Sequence, residues 1–522
     1  MSKQREPKKT NNVLRNSLPG IALIIASVLP SALNPTPSTA PPGDDTVPTA
    51  TAPARRSTKA AASTAAASSP SKIFFGSLHS HTKYSDGSGT PADAFAHARD
   101  QGKMDFLAVT EHNHKDAERG IKNDDPRKDG ILIATQPDLY NGSDSASLMS
   151  AARSFTSNDS FVALAGQEFS TISSGNHINV FEVGRVVDVA NGDFASLYDG
   201  WLTQTPDSLN EHPLVQFNHP DFRADTVNGN PPERNDYGLD DFGSDFGELV
   251  RHSEKYVALI EIVSGPALTD GTNLPITSRL RHEKDYWFYL NQGFHLAPTA
   301  NQDNHFSNWG TITRARTAVL ADRLTKPDIM HALKARHVYA TEDENLQVRF
   351  TVNGQQMGSI TRIPQPENLA IEVEVSDPDE PDAQYKVELF RDEIGGEMIE
   401  TAAEESQLEG DGRVSFSGQR FESGRVYYFV KVSQVGTDGR EEFAWTAPVW
   451  IELGQPAPPS PETDTTPAAS PQTARFVYSR NSEIYHFANC VDAARIKPEN
   501  RIESDVPPED KSLHKNCPRV QQ

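Results

Sequence analysis

Phe75-Gly76-Ser77-Leu78-His79-Ser80-His81-Thr82 is a short apolar run that stops on two imidazoles. Two residues apart on extended chain, His79 and His81 point to the same side and can hold a single ion. Asp86 follows in Tyr84-Ser85-Asp86-Gly87-Ser88-Gly89, where the glycines let a loop fold its carboxylate back toward the pair. The same kind of ending recurs at Thr110-Glu111-His112, Gly166-Gln167-Glu168, Asn176-His177, Asn218-His219 and Gln302-Asp303-Asn304-His305. An unpaired charge at a buried strand end is costly, so a carboxylate there needs a cation or another partner. His79, His81, Asp86, His112, Glu168, His177, His219, Asp303 and His305 are therefore candidate metal ligands. Any one of them alone reads as an ordinary core or surface residue; their arrival at the ends of successive runs points to a single constellation. Imidazole nitrogens mixed with carboxylate oxygens suit Zn, Mn or Fe rather than Ca or Mg alone.

Outward from these motifs, short apolar runs alternate with helical patterns over residues 72–345, the rhythm of parallel strands joined by helices in an α/β domain. Examples of the runs are Phe106-Leu107-Ala108-Val109, Phe161-Val162-Ala163-Leu164-Ala165, Leu214-Val215-Gln216-Phe217 and Val257-Ala258-Leu259-Ile260. Thr90 can cap a first helix with Pro91 at its first position and Ala94, Phe95 and Ala98 on one face. Most of the candidate ligands then sit where strands end, the side of a parallel α/β barrel that holds active sites. Residues 346–453 switch to strand alternation broken by Asn353-Gly354, Gly395-Gly396 and Asp411-Gly412, which reads as a β-sandwich accessory domain.

At 522 residues the chain exceeds one hydrophobic core. The formal charge of −23 is uneven: residues 1–71 carry eight Lys or Arg against three acids, leaving −28 on the rest. Such an acidic body repels nucleic-acid polyanions, so no nucleic-acid partner is expected. Residues 1–33 read as a signal peptide or N-terminal membrane tether, with Lys3, Arg5, Lys8, Lys9 and Arg15 before an apolar stretch too short and too interrupted for a stable spanning helix. Either reading exports the body across the cytoplasmic membrane. Residues 34–71 are a Pro/Thr/Ala/Ser linker, and 454–473 are a second, Pro-rich one. The segment 474–522 holds the chain's two cysteines in two pairs, His486 with Cys490 and His514 with Cys517, at spacings of four and three. A tetrahedral Zn site and a Cys490–Cys517 disulfide both fit that pattern. The remaining histidines, including His97, His282, His295 and His331, are read as structural, while Arg251, His252, Arg279 and Arg281 are candidate anion contacts.

The opening motifs, with Ser85-Asp86-Gly87 and Asp105-Phe106-Leu107-Ala108-Val109-Thr110-Glu111-His112-Asn113, resemble the polymerase and histidinol phosphatase (PHP) family of metallohydrolases. Asn218-His219-Pro220 and Gln302-Asp303-Asn304-His305 are similar to its closing motifs. Asn308-Trp309-Gly310-Thr311 and Ala332-Leu333-Lys334-Ala335-Arg336-His337-Val338-Tyr339-Ala340-Thr341 further resemble its exported, carbaryl-hydrolase-like branch. The resemblance covers residues 72–345 and implies a distorted seven-stranded (β/α) barrel holding two or three divalent ions. It implies that His79, His81, Glu168 and Asp303, the residues of the catalytic step, hold the first ion. Glu168 would bridge to a second ion completed by His177 and His219, and Asp86, His112 and His305 would hold a third. Asp86 stands where some members carry His, which bears on the affinity of that third set.

What the resemblance implies is hydrolysis of a small phosphoester or a carbamate or carboxylic ester. A water bridging two such ions, about 3.5–4 Å apart, would be deprotonated near neutral pH and attack the phosphorus or carbonyl centre. Glu111, Asn113, Asn218 and Glu261 are placed to orient imidazoles or the attacking water. The alternative is a catalytically weak envelope protein whose ions are structural. Oligomeric state is not legible in these residues.

Overall fold

The computed structural model describes residues 71–113, 136–169, 177–220 except 191, 236–454 except 397, 399, 437 and 438, Ile133, and short stretches between 476 and 513. The predicted signal or anchor, most of both linkers, and Cys490, His514 and Cys517 lie outside the described residues. Among the described residues no helix is long and apolar enough to cross a membrane.

The chain is a mixed α/β protein dominated by a 15-stranded sheet. Its first part is formed by β1 (Lys72–Ser77), β2 (Phe106–His112), β3 (Val162–Phe169), β4 (Ile178–Phe181), β5 (Leu214–Phe217), β6 (Val257–Ser264), β7 (Ala297–Asn301), β8 (Arg316–Ala321) and β9 (Val338–Thr341). β2, β3 and β6 are buried at every residue, as expected of strands covered on both faces. β1, β2 and β3 are parallel, as are β5, β6 and β7. β4 departs from the predicted all-parallel order, pairing antiparallel with both β3 and β5. The link from Phe169 to Ile178 is too short for a crossover, which takes a dozen residues or more. β8 is likewise antiparallel to β1 and β9. Thr317 Oγ1 on β8 donates to Ala300 O at 3.0 Å and accepts from Ala300 N at 3.0 Å, so the far strand β7 curls back beside β8.

The first helix forms where the sequence signals it. This helix, Pro91–Asp100, has a full capping box between Thr90 and Asp93 and buries Pro91, Ala94, Phe95 and Ala98. Gly76 is set by contact rather than by backbone angle: a Cβ there would lie 2.2 Å from Phe106 O, so only glycine lets β1 and β2 approach.

Residues 346–453 form two main sheets, and Glu367–Asn368 pairs with Arg420–Phe421 as a separate two-stranded one. A four-stranded sheet contributes Val348, Phe350, Val373 and Val375, which share one apolar core with Tyr385, Val387, Leu389, Val430 and Val432 of the other. The second of these sheets is continuous with the large one, because Glu441–Thr446 pairs antiparallel with β9 through Ala444 and Thr341. The junction is charged. Arg281 forks onto Glu342 at 2.6 and 2.8 Å, and Arg314 bridges Asp343 and Glu442, 3.3 Å from the latter.

Burial pushes the Glu442 carboxyl up; Arg314 offsets part of this and Asp343 adds to it, leaving a value of about 7. Because the folded value exceeds that of the unfolded chain, the folded state gains from this carboxyl only at acid pH and loses the gain as pH rises toward 7. Glu442→Gln should accordingly melt higher than wild type at pH 8, with the difference shrinking toward pH 4. A difference in melting temperature that does not change with pH would contradict this.

The C-terminal piece is a four-stranded sheet of Phe476–Ser479, Ile484–Phe487, Arg501–Ser504 and Ser512–Leu513. His486 is buried on its second strand.

Candidate metal centre

All nine predicted ligands arrive at one place. His79 and His81 follow the end of β1, while His112 and Glu168 are direct partners in the pairing of β2 with β3. His177 precedes β4, whose reversed direction brings its start, rather than its end, to the same side. His219 follows β5, and Asp303 and His305 follow β7. Backbone ties lay the two paired-ligand segments side by side, with Asp303 N donating to His79 O at 3.0 Å and His81 N to Asn304 O at 2.8 Å. His219 and Asp303 have φ of 30° and 49°, a strained backbone region for non-glycine residues that concentrates at functional sites.

Glu168 is the hub. Its Oε1 lies 3.0 Å from His177 Nδ1, 3.3 Å from His79 Nε2 and 3.4 Å from His219 Nε2. Its Oε2 lies 2.9 Å from His112 Nδ1 and 3.4 Å from His81 Nε2. Asp303 Oδ1 lies 3.2 Å from His79 Nε2 and 3.1 Å from His81 Nε2, and Asp86 Oδ1 lies 3.2 Å from His305 Nε2 and 3.6 Å from His112 Nε2.

The donor set fits cations better than it fits itself. His79 Nδ1 is 2.9 Å from Glu261 Oε1, which turns Nε2 toward the centre. There it faces His81 Nε2 at 3.1 Å, two imidazole nitrogens at hydrogen-bond distance. Asp86 Oδ1 and Asp303 Oδ1 are buried and accept no hydrogen bond. Burial and the nearby His112 and His305 push His81 down to about 4, so its ring is neutral and offers a lone pair. Burial would raise Glu168, but the imidazoles of His79, His177 and His112 hold it well below the usual carboxylate range. Ionised carboxylates beside a neutral His81 suit metal binding, whereas the same carboxylates raise His79, His112, His219 and His305 despite their burial, so an ion would have to displace protons from those rings.

Three sets of ligand atoms lie within 4.8 Å of one another: His79, His81 and Asp303; His112, Glu168 and His177; and His81, Asp86, His112 and His305. His81 and His112 each belong to two of them, a sharing that the spacing of the motifs does not reveal.

The residues expected to support the ligands divide by what they touch. Glu261 takes His79 Nδ1, accepts from His219 N at 2.7 Å and from Asn301 Nδ2 at 3.1 Å. Asn218 donates to Glu168 Oε1 at 2.9 Å and is itself held by Gln216 at 2.9 Å. Asn113 meets Gln167 at 3.2 Å rather than an imidazole. Glu111 binds Thr82 and Ser85. Asn301, Gln216 and Ser85 give no sign of this role in the sequence, since a lone polar residue in a strand or loop carries no spacing signal.

Several anion-contact candidates are committed elsewhere: Arg251 to Glu248, His252 to Asp199 at 2.6 Å and Arg281 to Glu342, while Arg279 is exposed. Other histidines also have partners, His97 Nδ1 lying 2.7 Å from Trp309 O, His331 pairing with Glu211 and His295 with Glu254.

No family model matches this chain. An uncharacterized protein of Chlamydia pneumoniae is 27% identical over 146 residues, which are 26% of this chain and 22% of that protein. The chain thus matches less than a quarter of that relative's length. Among solved structures, the soluble domain of PmoD from a Methylocystis species aligns at 14% identity with a TM-score of 0.15, covering 20% of this chain and 90% of that one.

Proposed function

We propose that this protein is an exported, metal-dependent hydrolase of small phosphoesters or of carbamate or carboxylic esters, built on a distorted barrel of the PHP type. The observation that carries the reading is the gathering of nine ligand-type side chains in one cluster, five of its imidazoles facing Glu168, with buried acceptor atoms on Asp86 and Asp303 that no hydrogen bond satisfies. The curl of the sheet that returns β7 to β8 supports the barrel. Zn, Mn or Fe suit the donors; when bound, such ions lower the pKa of a water and stabilise developing negative charge.

The chain's own contribution is positioning. Glu261 and Asn218 fix the rings and carboxylate that face the centre, and the cluster lies at strand ends where a substrate can approach from the loops. The test is metal analysis together with turnover of p-nitrophenyl phosphate, bis-p-nitrophenyl phosphate and naphthyl carbamates. His79→Ala should lose bound metal and most turnover, chelation should abolish turnover, and Zn or Mn should restore it in the wild type. Turnover that survives both chelation and His79→Ala would refute the assignment.

A further inference from the structure

We infer that Glu111 is the positioning residue of the loop carrying Asp86, and thereby controls metal occupancy of the set formed by His81, Asp86, His112 and His305. The inference rests on the metal-centre reading above. Glu111 and His112 are consecutive on β2, so their side chains leave the strand on opposite faces. His112 enters the cluster; Glu111, fully buried, turns to the loop of residues 82–89.

Every hydrogen bond described for the Glu111 carboxylate comes from that loop. Thr82 N lies 3.1 Å from both of its oxygens, and the Thr82 and Ser85 hydroxyls each donate to one. Ser85 Oγ also lies 3.4 Å from His81 Nδ1, so one hydroxyl links the loop, the carboxylate and a ligand. The loop closes tightly on these anchors. Ser85 N and Gly87 N donate to Thr82 O at 3.1 and 2.9 Å, and Lys83 N donates to Gly89 O at 3.0 Å.

Gly87 has no room for a side chain, because a Cβ would lie 2.8 Å from His81 O. At the other end Trp309 Nε1 donates to His81 O at 3.1 Å, and a Cβ on Gly89 would meet its ring at 3.0 Å. Asp86 therefore hangs between Ser85 and Gly87, both held, and its carboxylate reaches His305 and His112 only while the loop keeps this shape. Neither of the other two sets takes a ligand from this loop, whose only link to them is Ser85 beside the shared His81.

The experiment strips the full-length protein with chelator, adds Zn2+ alone, and measures stoichiometry and affinity by titration and elemental analysis. Glu111→Ala should lose one Zn equivalent per chain, or bind it about 10–100-fold more weakly, the usual cost of removing a residue that orients ligands. The remaining equivalents should weaken much less, since they share only His81 and His112 with this set. Glu111→Gln, which retains a carbonyl for Thr82 N, should recover most of the lost equivalent. Ser85→Ala, a milder change, should weaken the same equivalent and serves if Glu111→Ala does not fold.

Wild-type stoichiometry and affinity in Glu111→Ala would overturn the inference. So would parallel loss of every equivalent with a lower melting point of the metal-free protein, the mark of a purely structural carboxylate. Wild-type protein that takes up no Zn2+ would instead overturn the metal-dependent reading on which the inference stands.

Discussion

Glu168→Gln is expected to produce the largest functional loss of any single substitution in this protein, exceeding the about 10–100-fold that changes in supporting residues cost metal sites. The carboxylate divides its oxygens, Oε1 toward His79, His177 and His219 and Oε2 toward His81 and His112. An amide removes the negative charge and replaces one oxygen with a donor aimed at ring nitrogens. One group of imidazoles must then lose its carboxylate whichever way the amide turns. Because Gln is nearly isosteric and Asn218 can still donate to its oxygen, the fold should survive. The expected record is an unchanged circular dichroism spectrum, loss of at least one bound metal equivalent and loss of turnover. A Glu168→Gln protein with wild-type metal content and turnover would remove Glu168 from the centre.

Arg316→Ala is expected to cost roughly 3–5 kcal/mol of stability, as a few buried carbonyls lose their charged donor at about 1–3 kcal/mol each. Arg316 opens β8 and is 3% exposed, with burial bringing its guanidinium down to about 10. Its partners are backbone carbonyls: Nη1 donates to Thr313 O at 3.1 Å and Ala315 O at 2.9 Å, and Nη2 to Gly102 O at 3.2 Å and Gly310 O at 2.9 Å. Truncation leaves these carbonyls in a dry interior without their donor, at about 1–3 kcal/mol for each one that finds no water. Gly310 adjoins Trp309, whose indole holds His81 O, so the damage should spread to the candidate metal centre. A fall in melting temperature on the order of ten degrees is expected, with partial recovery in Arg316→Lys. A melting temperature within about two degrees of wild type would show that the guanidinium is not needed there.

Much of the centre was legible because its logic is local. Strand alternation puts His79 and His81 on one side, and an apolar run that halts on a carboxylate marks a buried strand end. The same reasoning placed the first helix, since Thr90, Pro91 and Asp93 act within one turn. It failed at β4, where hydrophobicity alone does not encode direction and the short link from Phe169 decided it. Arg281 reads as an anion contact in the sequence because Glu342 lies 61 positions away and becomes its partner only in the folded chain.

What the sequence determined by itself is the set of donors: residue types and spacings settle which atoms can bind a cation, because ligand chemistry belongs to each side chain. Only the tertiary structure decided how those donors are shared. That Glu168 divides its two oxygens among five imidazoles, that His81 and His112 each lie within reach of two candidate ligand sets, and that the Glu111 carboxylate bonds the Asp86 loop rather than a ring are facts of distance. Distances between residues far apart in the chain are set by strand register and packing, which no local pattern contains.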